Sequence, residues 1–360
     1  MGQAMPAPVT TKDSGDGSDR RKGLVWGYSC MQGWRVRMED AHFAVPELEG
    51  EGWTGTAAFG VMDGHGGSAV ARFCERNLPS EIAKGPSKDT RGALISAFHR
   101  MDELLDQGVS ALGAMSSTAN PDWVGCTCVV CLVRPDVLVV ANAGDSRAVL
   151  SRNGTAVPLS EDHKPNLPSE RERICRAGGC VERQQAGPIV QFRVNGNLNL
   201  SRSIGDLEYK RNPLLPPCEQ MICSTPDVLT YKREADDEFL LLACDGVWDV
   251  LGSQEAVDFV RERLPQWQSQ GWPLCGIAEE MLDHCISPDL ALTNGLGGDN
   301  MTALLVVFER PPAATGEDAA ALTSAEAVDP VTKPAALDSA VDDGAVAPAA
   351  FCGCRPALLR

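Results

Sequence analysis

Aromatic residues are scarce in this chain of 360 residues: nine Phe, seven Trp and three Tyr make up only 5% of it. That poverty disfavours a stacking surface for single-stranded nucleic acid. Basic residues are outnumbered as well, 32 Lys and Arg against 49 Asp and Glu, for a formal charge of −17. Proteins that bind a phosphate backbone carry a basic stripe, so this balance argues against nucleic acid as a partner. Two further features are missing: an uninterrupted apolar run of about 18 residues, and an apolar signal-peptide core near the N-terminus. The expectation is an intracellular protein, cytoplasmic or nuclear, with no transmembrane segment. Acidity does not exclude a phosphorylated substrate; it requires that metals or a positioned arginine supply the local positive charge.

Cysteine, by contrast, is plentiful at fourteen. Cys128, Cys131 and Cys244 sit inside apolar runs, where a free thiol behaves as a small hydrophobe, and reduced thiols are expected in an intracellular protein. The cluster Cys126-x-Cys128-x-x-Cys131 has no second Cys/His pair at zinc-site spacing and lies in a strand-like run, so a buried strand is the favoured reading.

Residues 1–22, "MGQAMPAPVTTKDSGDGSDRRK", are polar, rich in Gly, Ser, Pro and Asp and without periodicity, which predicts a disordered leader. Gly2 is a poor match to a myristoylation signal because Pro6 stands where Ser or Thr is wanted. From residue 311 to 360 the composition turns to Ala, Pro and acids, too little apolar surface to offset ordering entropy, and a mobile tail is expected. Cys352 and Cys354 in its "FCGCRPALLR" end are candidate lipid-anchoring sites, with an unmodified end the favoured reading. Between them, residues 23–310 form one globular stretch. Its strand signals are "RVRMEDAHFAV", "TGTAAFGVM", "CTCVVCLVR", "DVLVVANAG", "RAVLSRNG", "EFLLLACD" and "MTALLVVFE", with a tight turn at Arg134-Pro135-Asp136. Helical patterns are "SAVARFCERNLPSEIA", "TRGALISAFHRMDELLDQG", "SERERICRAGG", closed by Gly178-Gly179, "SQEAVDFVRERL", with Ser253 as N-cap, and one near "GWPLCGIAEEMLDHCI". Hairpin-like strands with helices set apart predict an α+β layout of helices on antiparallel sheets.

Several apolar strands end on an acid. Asp63 closes "AAFGVMDGHGG", Asp245 and Asp249 follow "FLLLACDGVWD", Asp145 stands in "AGDSR", Asp299 in "GGDNMT", and Glu39-Asp40 in "RMEDA". One Asp-Gly after a strand is usually a turn; several in one domain point to a shared site. Gathered carboxylates repel and call for protons or cations, and an all-oxygen donor set favours hard ions such as Mg²⁺ or Mn²⁺ over zinc. A pair of such ions about 3.5–4 Å apart can activate water for attack on phosphorus. Glu39 and Asp40, as neighbours on a strand, would face opposite sides and serve different roles.

The blocks "GYSCMQGWRVRMEDAH", "FGVMDGHGG", "ANAGDSRAVL", "EDHKP", "ERERICRAGG", "LNLSRSIGD", "LLACDGVWDVL" and "GGDNMTALLV" resemble, in order, the signature segments of metal-dependent type-2C protein serine/threonine phosphatases. They span about residues 24–309. The resemblance implies a central sandwich of two antiparallel sheets flanked by helix pairs, four layers in all, with a small flap at about 166–195. It also implies two Mn²⁺ or Mg²⁺ ions per active site and a weaker third. By matching position, Asp63 resembles the carboxylate that bridges both ions and Gly64 offers its carbonyl; Asp245 and Asp299 resemble ligands of one ion and Glu39 of the other. Asp40 and Thr127 would hydrogen-bond metal-held waters, and Asp145 and Asp249, sharing Asp245, correspond to the third ion. Arg35 looks like the arginine that grips the substrate phosphate, its planar fork suited to phosphate oxygens, with a surface salt bridge as the alternative. A metal-bridging water is the implied nucleophile, and His65 is the implied general acid for the departing Ser or Thr oxygen.

The partners so implied are phosphorylated proteins, and a monomer is expected. Five arginines in the flap region, Arg171, Arg173, Arg176, Arg183 and Arg193, suit either phosphopeptide steering or a solvated helical face. Cys126 and Cys128 flank Thr127 where the family usually has small Ser, Thr or Ala residues, which opens a redox question. A silent phosphoprotein-binding pseudophosphatase is disfavoured because no matched metal position is lost. An aspartyl-phosphate mechanism is disfavoured because Asp245 and Asp249 are four residues apart rather than two.

Overall fold

The apolar runs picked out above are continuous rather than alternating because the strands they form are covered on both faces. The computed structural model describes residues 4–108, 121–186 and 189–309. The first five strands are Ala4–Asp19 (β1), Leu24–Arg35 (β2), Ala41–Val45 (β3), Ala57–Met62 (β4) and Gly64–His65 (β5). Next come Gly125–Cys126 (β6), Cys128–Val133 (β7), Val137–Ala143 (β8), Arg147–Arg152 (β9) and Thr155–Pro158 (β10). The remainder are Val181–Ala186 (β11), Ile189–Val194 (β12), Ile204–Gly205 (β13), Asp227–Lys232 (β14), Asp237–Ala243 (β15) and Met301–Phe308 (β16). The helices are Ala69–Lys84 (α1), Thr90–Asp106 (α2), Pro168–Arg176 (α3), Asp245–Trp248 (α4), Ser253–Gln270 (α5) and Cys275–Cys285 (α6).

Two antiparallel sheets dominate, one ordered β1-β2-β16-β15-β9-β10 and the other β14-β8-β7-β4-β3. In β15, Leu240 and Leu242 enter the core between the sheets, while Phe239, Leu241 and Ala243 face α5 and α6. In β7, Val129, Cys131 and Val133 join the same inter-sheet core, while Cys128, Val130 and Leu132 pack under α1 and α2. Successive side chains point to opposite faces, so a strand buried on both needs an unbroken apolar sequence. Trp26 and Phe59 meet edge to face across the inter-sheet layer, centroids 5.6 Å apart. The result is the expected α+β sandwich between helix layers, and the turn after β7 closes with Arg134 N donating to Val137 O.

The N-terminal expectation is overturned. Residues 4–19 are not a disordered leader but an edge strand, paired in antiparallel register with β2 from Ala4 opposite Arg35 to Asp19 opposite Leu24. The Gly/Ser/Asp composition that suggested disorder has a packing cause. Gly15 and Gly17 lie opposite Tyr28 and Trp26, and a Cβ on either would run into that ring. Polar pins complete the docking: Asp16 Oδ1 accepts from Cys275 N at 2.7 Å, and Lys12 pairs with Asp283 at 2.6 Å. Gly2, the 311–360 tail and its Cys352 and Cys354 lie outside the described residues.

Two smaller expectations also change. "RVRMEDAHFAV" is not one strand, since β2 ends at Arg35 and β3 begins at Ala41, leaving Glu39 and Asp40 in an irregular link. Opposite strand faces therefore do not explain their separation. At α5 the cap residue is Gly252, not Ser253; its N–H donates to the Glu255 carboxylate at 2.8 Å.

Beside the sandwich, α3 and the β11–β12 hairpin fill the expected flap region, around a small core of Ile174, Val194, Tyr209 and Ile222. Arg173 is buried there and bonded to Glu170, so it is a structural residue and not a steering charge. Glu170 is buried between two guanidinium groups, with Arg173 Nη1 and Arg202 Nη2 each at 2.7 Å. Burial alone would push this carboxyl up, but Arg202 and Arg173 outweigh it and hold it at about 2. Glu170→Gln leaves buried cations short of a counter-charge and should cost about 3–5 kcal/mol in denaturant unfolding. Because the folded carboxyl titrates below its ordinary value of about 4.3, its stabilisation is complete above that pH and fades as pH falls toward 2. The variant should flatten that stretch of the stability–pH curve; a curve superimposing on wild type would show the network to be idle.

Candidate metal centre and active site

Four acidic side chains of the site are delivered at the ends of buried strands, while Glu39 comes from the irregular link between β2 and β3. Asp63 follows β4, Asp145 follows β8 by one glycine, Asp245 opens α4 directly after β15 and Cys244, and Asp299 precedes β16. Backbone bonds lock these ends together: Thr127 N donates to Asp63 O at 2.9 Å, and Asp63 N donates to Thr127 Oγ1 at 3.1 Å. Asp249 N closes the α4 turn on Asp245 O at 2.8 Å. Gly64 is obligatory, because a Cβ there would collide with the Glu39 carbonyl oxygen.

The strand ends converge on a cavity of about 300 Å³. Of the sequence-predicted residues, Arg35, Glu39, Asp63, Gly64, His65, Thr127, Asp145, Asp245 and Asp299 line it. Asp40 does not; it is buried and accepts from Thr302 Oγ1 at 2.8 Å. It still keeps close company, since one ligand atom each of Asp40, Asp63 and Cys244 lie within 4.8 Å of one another. Asp249 stands exposed outside the cavity lining.

The electrostatics are those of a charge-crowded pocket. Burial, reinforced by the neighbouring carboxylates, lifts Asp63 and Asp245 well above the ordinary range. Burial pushes Asp40 up to about 7 and also raises Glu39. Three acids keep a buried oxygen without any protein partner: Asp40 Oδ1, Asp145 Oδ1 and Asp245 Oδ1. Buried polar atoms are normally satisfied, so these oxygens fit a cation or its waters. The donor set is oxygen, the hard-ion pattern. Cys244 does not soften it, because burial drives its thiol pKa far up and its sulfur already accepts from Thr302 N at 3.1 Å. Cys126 and Cys128 are likewise buried with strongly raised pKa values, the character of unreactive structural thiols.

Sequence reasoning missed two residues. Asn300 ties the irregular Val36–Asp40 link in place: its Oδ1 accepts from Glu39 N at 2.9 Å, and its Nδ2 donates to Gln32 O and Arg37 O. Asp206, in the left-handed region at φ 51° and only 2% exposed, faces His65 Nε2 at 2.7 Å and accepts from Ser203 Oγ at 2.5 Å. Burial opposes an imidazolium at His65, but the Asp206 carboxylate outweighs it and raises the pKa. The signal was the "SRSIGD" block itself, although nothing local pairs an acid with a histidine 141 positions away. Arg35 is ion-paired with Asp299, which raises its pKa against the pull of burial.

A family model described as protein phosphatase 2C matches residues 25–291. The chain belongs to the protein phosphatase 2C family. It is 40% identical over 352 residues to probable protein phosphatase 2C 11 of Oryza sativa subsp. japonica, covering 86% of this chain and 92% of that one. It is 44% identical over 315 residues to protein phosphatase 2C homolog 2 of Schizosaccharomyces pombe, covering 86% and 79%. The crystal structure of serine-threonine phosphatase 2C from Toxoplasma gondii shares the fold at a TM-score of 0.65 and 22% identity, covering 85% of this chain and 98% of that one. The family generally binds divalent metal ions, and the carboxylate cluster of this protein phosphatase 2C is a fitting acidic site. No helix among the described residues is long and apolar enough to cross a membrane.

If the buried acids hold divalent ions, adding Mn²⁺ to EDTA-treated protein should raise its thermal midpoint. Ligand linkage amounts to about 2.7 kcal/mol at a hundredfold excess over Kd. Asp245→Asn should melt higher than wild type in EDTA, because one crowded charge is gone, yet respond weakly to Mn²⁺. An equal Mn²⁺ shift in both proteins would remove Asp245 from the ligand set.

Proposed function

We propose that Asp63, the Gly64 carbonyl, Glu39, Asp245 and Asp299 hold two Mn²⁺ or Mg²⁺ ions, with Asp145 and Asp249 available to a weaker third, for hydrolysis of phosphoserine and phosphothreonine in proteins. The protein is a metal-dependent protein serine/threonine phosphatase. The observation that carries the site assignment is the convergence of these residues on one cavity whose buried carboxylate oxygens lack protein partners. Bound there, divalent cations supply charge neutralisation for the phosphate and lower the pKa of water for in-line attack on phosphorus.

The chain's own residues supply the rest. Arg35 lines the cavity and is 42% exposed on its side chain, so its guanidinium has room to leave Asp299 and clamp two phosphate oxygens. Thr127 shares a hydrogen bond of 2.7 Å with Ser146 Oγ, which orients its hydroxyl at the cavity wall. Asp40, anchored by Thr302, keeps its free oxygen for water or cation. His65 turns Nε2 toward Asp206, and a carboxylate there accepts only, so the transferable proton of the imidazolium sits on Nδ1. From Nδ1 it passes to the serine or threonine oxygen as the P–O bond breaks, and Asp206 steadies the cation until then. Asn199 and Leu200, which follow the flap, complete the cavity wall.

Purified protein should dephosphorylate a phosphothreonine peptide with Mn²⁺ and stop in EDTA. Asp63→Asn should lose nearly all turnover; near-normal activity would refute the central ligand assignment. His65→Ala should slow alkyl phosphates by about 10²–10⁴-fold while sparing aryl phosphates, whose leaving groups hardly need a proton. Equal losses on both substrates would remove the acid role.

A further inference from the structure

One cation is built into the carboxylate cluster by the chain itself. The Lys164 ammonium pairs with Asp145 Oδ2, and its charge also acts on Asp245 and Asp249. Asp145 is 1% exposed, lines the cavity and leaves its Oδ1 without a partner. Lys164 reaches it from the segment that enters the flap, and that segment is pinned on either side. Just before it, His163 N donates to Gly144 O at 2.9 Å, and His163 Nδ1 accepts from Gly144 N at 3.2 Å. Just after it, Leu167 N donates to Lys164 O at 3.1 Å. The tether is therefore short, and the effective concentration of ammonium at Asp145 is high.

We propose that Lys164 is a tethered counter-cation that competes with a divalent ion for the Asp145 carboxylate and so weakens the outermost cation site. This rests on the reading above, in which these acids hold divalent ions. An ammonium on Oδ2 cancels part of the charge that Asp145 offers a divalent ion at its free Oδ1, so the ion binds best with the lysine swung away. The exchange is sterically open, since the lysine side chain is 37% exposed and can swing into solvent. One positive charge facing three carboxylates also lessens their mutual repulsion when the outer site is empty. Affinity for the outermost ion then reflects the difference between a divalent cation and an ammonium competing for the charge of the same carboxylate. The inner acids, Asp63 and Asp299, make no pair with Lys164 and lie outside this competition.

The test is a calorimetric Mn²⁺ titration of full-length wild type, Lys164→Met, Lys164→Arg and the double variant Lys164→Met with Asp145→Asn. Lys164→Met keeps the apolar stem and removes the charge, so its weakest Mn²⁺ step should tighten at least tenfold. Lys164→Arg should titrate as wild type, and the double variant should lose the tightened step. Unfolding midpoints in EDTA report folding, and Lys164→Gln serves the same purpose should Lys164→Met not fold. Superimposable isotherms for wild type and the charge-removing variants overturn the role given to Lys164 while leaving the two-ion site standing. If no protein of the set takes up Mn²⁺, the ion-binding reading falls first and this one with it.

Discussion

Carboxylates that would repel one another are brought together at the ends of buried strands, and the rest of the molecule is arranged around that crowding. In water the acids would stay ionised and apart. Here Asp63 and Asp245 are forced into one low-dielectric cavity, where burial and mutual repulsion work against their charged forms. Such an arrangement persists only where rigid elements over-determine it. The strands supply that rigidity, because β4, β7, β15 and β16 are buried on both faces and cannot slide without exposing an apolar face.

The sandwich and the site are thus one construction. Cross-bonds between Asp63 and Thr127 join neighbouring strand ends within one sheet, while Asn300 and Thr302 link the start of β16 to the Glu39–Asp40 segment of the other. An acid from one sheet meets an acid from its partner only because the inter-sheet core holds the two at fixed spacing. The irregular path of Val36–Asp40 follows from the same demand. A regular strand would turn Glu39 and Asp40 to opposite faces, whereas the looped path leaves Glu39 on the cavity wall and Asp40 buried against Thr302.

Positive charge is in short supply in this acidic chain, and several of its cations are set against particular carboxylates. Arg35 answers Asp299, Lys164 answers Asp145, and the Arg173–Glu170–Arg202 cluster fastens the flap helix, with Arg202 reaching on to Asp227. Asp227 in turn meets His163, whose backbone and ring grip Gly144 beside Asp145. A continuous set of polar contacts therefore runs from the flap root to the carboxylate cluster, buried at Glu170 and His163 and open to solvent at Asp227.

The apolar runs, the acids at their ends and the ordered signature blocks made the sandwich, the family and most of the cavity lining readable in advance, because strand burial and ligand chemistry both leave contiguous marks. What left no such mark was any partnership across distance. The pairing of His65 with Asp206, the clamp of Asn300, and the engagement of Lys164 with Asp145 join residues whose neighbours in the chain say nothing of each other. The N-terminal strand misled for a related reason: Gly15 and Gly17 look like disorder in isolation and become necessary only once Tyr28 and Trp26 lie across them. Residue types and local periodicity determined which chemistry was available here. Only the tertiary structure decided which charge faces which, since that depends on packing between sheets that no local stretch encodes.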